Sequence, residues 1–313
     1  MKLTQVIRYL NQLDEIKPEV SFAPARREME KILHVVQSND IQFDNEIQRL
    51  EQQHNSVMSH LTDFAVTLND LRASLVAARD SLEPEYLRES QRMYDHEMPF
   101  ETNQYILDRR LRIDADSEDI LRSRLRNLGD WRLPGLIFRP GRETFIEDLV
   151  PLDPLYVVDQ HQDLLRPAVS KFTPEYQARL RQYVIDERRG GDFLSVLPAN
   201  QFGLVFAYNY FNFKPMSVIQ SYLQQLYGLM RAGGTLIMTF NDCDRQQGAG
   251  LAENFYMCYT PARLVVAAAE RAGFEVATVH HGQADLAWIE LARPGVINSI
   301  RGGQTLAKIT RKI

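Results

Sequence analysis

Hydrophobic residues near the start of the chain recur at helical spacing. Within residues 3–16 they lie three or four positions apart, which predicts a short amphipathic helix. No proline or glycine lies between Pro24 and Pro84, so one long helix is predicted over residues 24–84. A period of about 3.5 residues, held over such a length, predicts a left-handed coiled coil. The seam positions alternate by four and three: Phe43, Ile47, Leu50, His54, Val57, Leu61, Phe64, Leu68, Leu71, Leu75, Ala78 and Leu82.

A coiled-coil seam must be covered by another helix. The partner for residues 24–84 is a second copy of the chain, a subunit of another protein, or the short N-terminal helix folded back over part of the seam. Assembly with a second copy or with other subunits is the preferred interpretation. His54 is the polar member of the seam, and we interpret it as a tolerated polar residue rather than a determinant of register or a pH sensor.

The pattern changes after residue 132. Short apolar runs then alternate with amphipathic stretches, which predicts an α/β domain with a mostly parallel sheet and helices on both faces. The predicted strands are Gly135–Phe138, Leu155–Val158, Tyr183–Ile185, Phe202–Ala207 and Thr235–Phe240. The predicted helices are Thr144–Val150, Thr173–Arg181, Ser217–Met230 and Pro261–Ala272.

The last two apolar runs, Phe274–Val279 and Ala287–Ala292, have no helix between them. They are therefore predicted to form an antiparallel hairpin at an edge of the sheet. These boundaries divide the chain into an N-terminal helix and linker, a coiled-coil helix, a helical connector, an α/β domain and a C-terminal tail. The five parts are residues 1–23, 24–84, 85–132, 133–294 and 295–313.

The turns between these elements carry a family resemblance. Five segments occur in order and at fitting spacing. The first three are the Pro140-Gly141 turn after the first strand, Asp159 at the end of the second strand, and Gly191–Pro198. The fourth is Leu226–Met238, a helix followed by a double glycine and a strand, and the fifth is the Ala272-Gly273-Phe274 turn. Together they make residues 133–293 similar to class I S-adenosylmethionine (AdoMet) methyltransferases. The resemblance implies a Rossmann-like methyltransferase sheet with an AdoMet site at its strand ends.

The first of these turns departs from the pattern of the family. Pro140-Gly141 matches the middle of the glycine-rich turn that approaches the methionine part of AdoMet. Arg139 and Glu143 stand at the two flanking glycine positions, and Ile137 stands where the family has an acid. These substitutions count against normal cofactor binding, although Arg139 could also pair with the carboxylate of the cofactor.

Acidic residues match the nucleoside-binding positions of the family. The resemblance implies that Asp159 accepts hydrogen bonds from both ribose hydroxyls, with capping of the following helix as its alternative role. It also implies that Asp192 meets the adenine amino group, a role for which Asp186 competes. The candidate cofactor-binding residues are Arg139, Pro140, Gly141, Asp159, Asp192, Phe193, Tyr208 and Asn209.

No catalytic base is assigned from the sequence. A methyltransferase of this class mainly holds the methyl group in line with a nucleophile, so catalysis depends largely on proximity. Candidates near the expected cleft are Tyr208, Asn209, Tyr210 and Asp242. His280 and His281 lie near the edge hairpin, where a surface or turn role is preferred to catalysis.

Composition narrows the choice of partners. A net charge of −5, with 25% charged residues, argues against a large nucleic-acid footprint. No apolar run approaches the roughly 18–20 residues of a membrane helix, and the start of the chain has charges inside its apolar pattern, unlike a signal peptide. Cys243 and Cys258 provide neither a disulfide framework nor zinc spacing. The expected location is the cytoplasm or a virion.

Two functional interpretations remain open. The preferred one is a structural or assembly protein that oligomerises through its coiled coil and carries a degenerate methyltransferase-like domain. The segments DWRLPGLIFRPG and DPLYVVD add a resemblance to proteins of tailed-phage virions. The alternative is an active AdoMet-dependent methyltransferase with a coiled-coil dimerisation arm, an interpretation that Asp159 and Asp192 favour.

Overall fold

A computed structural model describes residues 2–16, 27, 30–31, 34–35, 44–96, 114–140, 145–254, 256–282 and 287–296. The chain divides into two compact units, residues 1–84 and 85–313. The division of the sequence into five parts stays a prediction. In the part of the chain that the structure describes, no helix has the length and apolarity needed to cross a membrane.

The first unit contains helix α1 (Leu3–Glu15) and the beginning of helix α2 (Asp44–Asp95). The apolar face of α1 is buried, and Asp14 forms an ion pair of 2.7 Å with Arg72 of α2. The predicted end of the long helix at Pro84 is wrong, because α2 continues through this proline to Asp95. Buried side chains beyond the proline, among them Ser90 and Met93, hold the last turns in place despite the missing backbone hydrogen bond. The predicted start at Pro24 lies outside the described residues.

The second unit contains a seven-stranded sheet in its described residues, in the order β3-β2-β1-β4-β5-β7-β6. Neighbouring strands are parallel except for β7, which runs antiparallel to both β5 and β6. The predicted parallel sheet with an antiparallel edge hairpin is therefore confirmed. The strands are β1 (Gly135–Phe138), β2 (Leu155–Asp159), β3 (Leu180–Val184), β4 (Phe202–Ala207), β5 (Met230–Phe240), β6 (Glu275–His281) and β7 (Ala287–Ala292).

Helices cover both faces of the sheet. They are α3 (Ala115–Leu128), α4 (Phe145–Asp148), α5 (Gln162–Val169), α6 (Pro174–Gln177), α7 (Met216–Leu229), α8 (Gln246–Glu253) and α9 (Ala262–Arg271). Successive residues of a strand point to opposite faces. Ile137 therefore packs with α3, α4 and α5 in one hydrophobic cluster, whereas Leu136 and Phe138 pack with α7 and α9 in the other.

The double glycine Gly233-Gly234 lies within strand β5 rather than at the end of a helix. Helix α7 ends at Leu229, so the glycines do not cap it but lie inside β5. Strand β5 pairs with β4 at Met230 and again only at Thr235, which leaves the glycines in an irregular stretch. Gly233 has a φ of +76°, and a Cβ on Gly234 would lie 2.8 Å from the backbone oxygen of Phe202. The glycines thus permit a bend and a close approach of two strands.

Candidate functional site

The candidate site lies where the parallel strands β1 to β4 end. In open α/β sheets, ligands bind at the carboxyl ends of the strands, at the point where the strand order reverses. Here that point lies beside β1, which has β2 on one side and β4 on the other. We call this region the strand-tip crevice, defined by Arg139 after β1, Asp159 at the end of β2, Glu187 after β3, and Tyr210 and Lys214 after β4.

Arg139 and Asp159 fill the part of the crevice between β1 and β2. Their side chains are 3% and 0% exposed, and Nε of Arg139 lies 3.8 Å from Oδ2 of Asp159. The guanidinium also lies over the ring of Tyr210, 5.6 Å from its centroid. Arg139 has a φ of +48°, a left-handed conformation that favours glycine. Two opposite charges, excluded from solvent, therefore occupy the end of the first two strands.

The carboxylate of Asp159 is under opposing influences. Burial raises its pKa, and this effect exceeds the lowering by Arg139 and by the backbone N–H groups of His161 and Gln160. Oδ1 accepts a hydrogen bond of 3.1 Å from the N–H of His161, whereas Oδ2 accepts none from the residues that the structure describes. The N-cap of α5 is His161, so Asp159 does not cap this helix.

A second buried group, the Glu187 cluster, consists of Glu187, Lys214, Tyr94, Tyr210 and Tyr222. The ammonium of Lys214 and the hydroxyl of Tyr94 both donate to Oε1 of Glu187. Tyr222 donates to Oε2 at 2.5 Å, and its hydroxyl lies 2.6 Å from that of Tyr210. Burial raises the pKa values of Tyr210 and Tyr222, which keeps both hydroxyls protonated and able to donate.

The pKa of Glu187 is shifted in the other direction. Burial is the largest influence and raises it, but Lys214 and the hydrogen bonds from the tyrosines together outweigh burial, so the pKa lies below its ordinary value. Glu187 is therefore ionised inside the protein and paired with an ammonium. The hydrogen bonds from Tyr94 and Tyr222 satisfy the carboxylate oxygens of Glu187, so the buried ion pair is stable here. Either charge alone would be destabilising inside the protein.

The last turns of α2 lie over this edge of the sheet. Tyr94 reaches Glu187, and the hydroxyl of Ser90 accepts a hydrogen bond of 2.8 Å from the backbone N–H of Tyr259. Leu87 and Met93 pack against the two hydrophobic clusters of the domain. We call residues 86–94 the helix anchor, because these contacts attach the end of α2 to the strand ends of the domain.

Asp242 and His281 meet at the far end of the same edge. Oδ1 of Asp242 accepts hydrogen bonds of 3.0 Å from the N–H groups of Asp244 and Ala262, and Oδ2 lies 3.2 Å from Nδ1 of His281. Burial is the largest influence on both groups, raising the pKa of Asp242 and lowering that of His281. Asp242 thus holds the start of α9. The sequence analysis considers Asp242 and His281 separately and does not predict the contact between them.

The other predicted residues are not brought into one site. Asp192 and Asp186 are exposed, and Asp186 accepts from the N–H of Arg188. Phe193 contacts the ring of Tyr222, with centroids 4.7 Å apart.

The remaining candidates divide between the two sides of the sheet. Tyr208 packs on Phe145 in the hydrophobic cluster opposite to that of Tyr210. The backbone N–H of Asn209 donates to Oγ1 of Thr239. Pro140 follows Arg139 directly, whereas Gly141 and Glu143 lie outside the described residues.

The structure also shows site residues that the sequence analysis did not select. Glu187, Lys214, Tyr222 and Tyr94 come from four separate parts of the chain. One local signal was available: Lys214 follows the aromatic run Tyr210-Phe211-Asn212-Phe213, where a lysine is unexpected unless it is paired. Among the described residues, no group of three or more His, Cys, Asp or Glu side chains could hold a metal ion.

Comparisons with known proteins give similarity at the level of structure. No family model matches the chain, and no curated protein matches it. The N-methyltransferase NodS from Bradyrhizobium japonicum WM9 is 15% identical, with a TM-score of 0.45 over 58% of this chain and 99% of its own. A SAM-dependent methyltransferase from Aquifex aeolicus is 14% identical, with a TM-score of 0.42 over 57% and 89%. Geranyl diphosphate C-methyltransferase from Streptomyces coelicolor is 7% identical, with a TM-score of 0.46 over 56% and 80%.

Proposed function

We propose that this chain is an assembly protein without methyltransferase activity, in which the α/β domain anchors a long helix and the helix associates with a second copy. The observation that carries the proposal is the content of the strand-tip crevice. The edge that receives a ligand in related sheet architectures is filled by the Arg139–Asp159 pair and the Glu187 cluster, and the helix anchor lies over it.

The described residues do not fit AdoMet in this arrangement. A ribose would need an exposed carboxylate at the end of β2, but the side chain of Asp159 is fully buried against Arg139. Arg139 also places a long side chain at a position where the methyltransferase pattern has glycine. We therefore derive no methyl-transfer step from this site.

The surface of α2 supports the second part of the proposal. Val57, Phe64 and Leu71 are spaced by seven residues and are 54%, 56% and 47% exposed, so they form one apolar line along the helix. Between positions 52 and 71 the sequence contains only two residues of the types Asp, Glu, Lys and Arg, namely Asp63 and Asp70. A helix with so little charge is better suited to an interface than to water. A place in a tailed-phage virion stays a prediction.

The alternative function, an AdoMet-dependent methyltransferase, is favoured by one observation. Oδ2 of Asp159 accepts no hydrogen bond from the described residues, and a ribose hydroxyl could supply one if Arg139 moved away.

Calorimetric titration with AdoMet and S-adenosylhomocysteine separates the two functions. We expect no saturable heat at millimolar ligand. Micromolar binding that is lost in Asp159→Ala, with methyl transfer to an acceptor, would establish the enzyme instead. The control is Asp163→Ala, because Asp163 lies exposed on α5, outside the crevice.

A further inference from the structure

The apolar line of α2 is one part of a larger helix surface. Leu75 is buried in this chain and Leu61 and Leu68 are half-buried, whereas the three residues of the apolar line are exposed. The seam of the helix is therefore covered within the chain on one side and open on the other. We propose that the open side pairs with the same surface of a second copy, with the two α2 helices parallel and in register. This inference rests on the proposed function and adds the residues and the direction of the pairing.

A column of smaller and polar residues runs beside the apolar line. His60, Thr67 and Ser74 each follow a member of the line by three positions, and all three are exposed. The hydroxyl of Thr67 donates to the backbone oxygen of Asp63 at 2.8 Å, and that of Ser74 to the backbone oxygen of Asp70 at 2.9 Å. Because their own helix satisfies these hydroxyls, covering them costs little. We call the line and this column together the open face of α2.

The open face is complementary to itself. Large side chains alternate along it with smaller ones, which is the arrangement that lets two helices interdigitate. In a parallel pair in register, each large side chain of one helix enters a hole that smaller side chains of the other help to form. Phe64 of one copy then lies next to Thr67 of the second copy, and Leu71 lies next to Ser74 of the second copy. A second copy of the same helix therefore fits this surface.

Charge decides the direction of the pair. Asp63 and Asp70 lie on one flank of the open face, and Leu61 and Leu68 lie on the other. In a parallel pair each flank meets the opposite flank of the second helix, whereas in an antiparallel pair each flank meets itself. The antiparallel pair would bring Asp63 of each copy near Asp70 of the other, and this flank has no basic residue between positions 52 and 71. Repulsion between these carboxylates therefore disfavours the antiparallel pair.

Disulfide cross-linking of the full-length chain tests the face of the helix. Ser74→Cys and Val57→Cys each place a thiol on the open face, and a parallel pair brings the two thiols of either variant together. Oxidation with copper phenanthroline should then give a covalent dimer. Ser59→Cys is the matched control, because Ser59 is exposed but lies on the opposite side of the helix. We expect at least tenfold more covalent dimer from each open-face variant than from the control. The wild type should give none, because Cys243 and Cys258 are buried.

The same variants test the direction of the pair. Positions 57 and 74 are 17 residues apart, which is about 25 Å along a helix. In an antiparallel pair of open faces, the two thiols of either variant alone would lie at about this distance. Only a mixture of Ser74→Cys and Val57→Cys would then cross-link. That result would overturn the parallel pair and leave the proposed function intact.

Sedimentation velocity separates failure of this inference from failure of the proposed function. A dimer in which neither open-face variant cross-links, or in which Ser59→Cys cross-links equally, would show pairing through another surface and overturn this inference alone. A monomer at every concentration would overturn both. Circular dichroism checks that each variant keeps the helix content of the wild type, and if Ser74→Cys loses it, Val57→Cys provides the same test.

Discussion

The buried pair of Lys214 and Glu187 allows a quantitative test of how the crevice is stabilised. The two side chains are 3% and 1% exposed. Lys214→Met removes the ammonium and keeps most of the side-chain volume. Breaking a buried ion pair on one side costs about 3–5 kcal/mol, because the remaining charge is left uncompensated. Tyr94 and Tyr222 still donate to Glu187, so we expect the low end, about 3 kcal/mol, at pH 7.

The cost should depend on pH in a defined direction. In the wild type the pKa of Glu187 lies below its ordinary value, so its contribution is present above the unfolded pKa and is lost as pH falls through the folded value. Without Lys214, burial is opposed only by the hydroxyl donors, and the pKa of Glu187 should rise. The carboxyl group then becomes neutral on acidification, and a neutral group is better tolerated inside the protein. The difference between variant and wild type should shrink to about 1 kcal/mol near pH 4.

Urea denaturation followed by tryptophan fluorescence measures this difference. Both tryptophans, Trp131 and Trp288, lie in residues 85–313, so the signal reports the unit that contains the pair. Lys171→Met changes an exposed lysine and should alter the free energy of unfolding by less than about 0.5 kcal/mol. A loss below about 1 kcal/mol at pH 7 for Lys214→Met, or an equal loss at both pH values, would refute the reasoning.

Three further predictions concern other parts of the molecule. In Gly248→Ala the new Cβ would lie 2.1 Å from the backbone oxygen of Asp242, so we expect a loss of about 3 kcal/mol in urea denaturation. Gly250→Ala, where nothing lies within 4 Å, should change the same quantity by less than about 1 kcal/mol, and similar losses would contradict the packing at Gly248. Phe64→Glu should convert an oligomer into a monomer in sedimentation velocity, whereas an unchanged mass would exclude the apolar line of α2 as the interface. Because partial burial lowers the pKa of His281, the wild type should lose stability as pH falls below about 6.5, and His281→Gln should lose less. Equal pH slopes would count against the lowered pKa of His281.

Much of the sheet could be predicted because its strands are buried on both faces. Strands β1 and β4 are continuous apolar runs, and the structure places them at the predicted bounds. Strand β3 begins three residues before the predicted Tyr183. It is an edge strand, and its exposed Arg181 and Gln182 interrupt the apolar run from which a strand is predicted. Local hydrophobicity therefore locates central strands well and edge strands poorly.

The site could be predicted only in part. The position of Asp159 follows from the end of an apolar strand, which is a local pattern. The Glu187–Lys214 pair joins two loops that are 27 positions apart, and Tyr94 reaches the same pair from a helix that the sequence analysis ended at Pro84. Contacts between distant segments depend on the tertiary arrangement of the strands. A local pattern, such as a lysine after an aromatic run, indicates that Lys214 is paired but not which residue it pairs with. The helix anchor became visible only with the structure.

Hydrogen–deuterium exchange, with and without S-adenosylhomocysteine, tests most directly whether this sheet edge holds a helix rather than a cofactor. The amides of residues 86–94 should be protected to a similar extent as those of β4, and millimolar ligand should leave the protection of Arg139 and Asp159 unchanged. Rapid exchange in residues 86–94, together with increased protection at the ends of β1 and β2 on adding the ligand, would show an open cofactor site and contradict the proposed function.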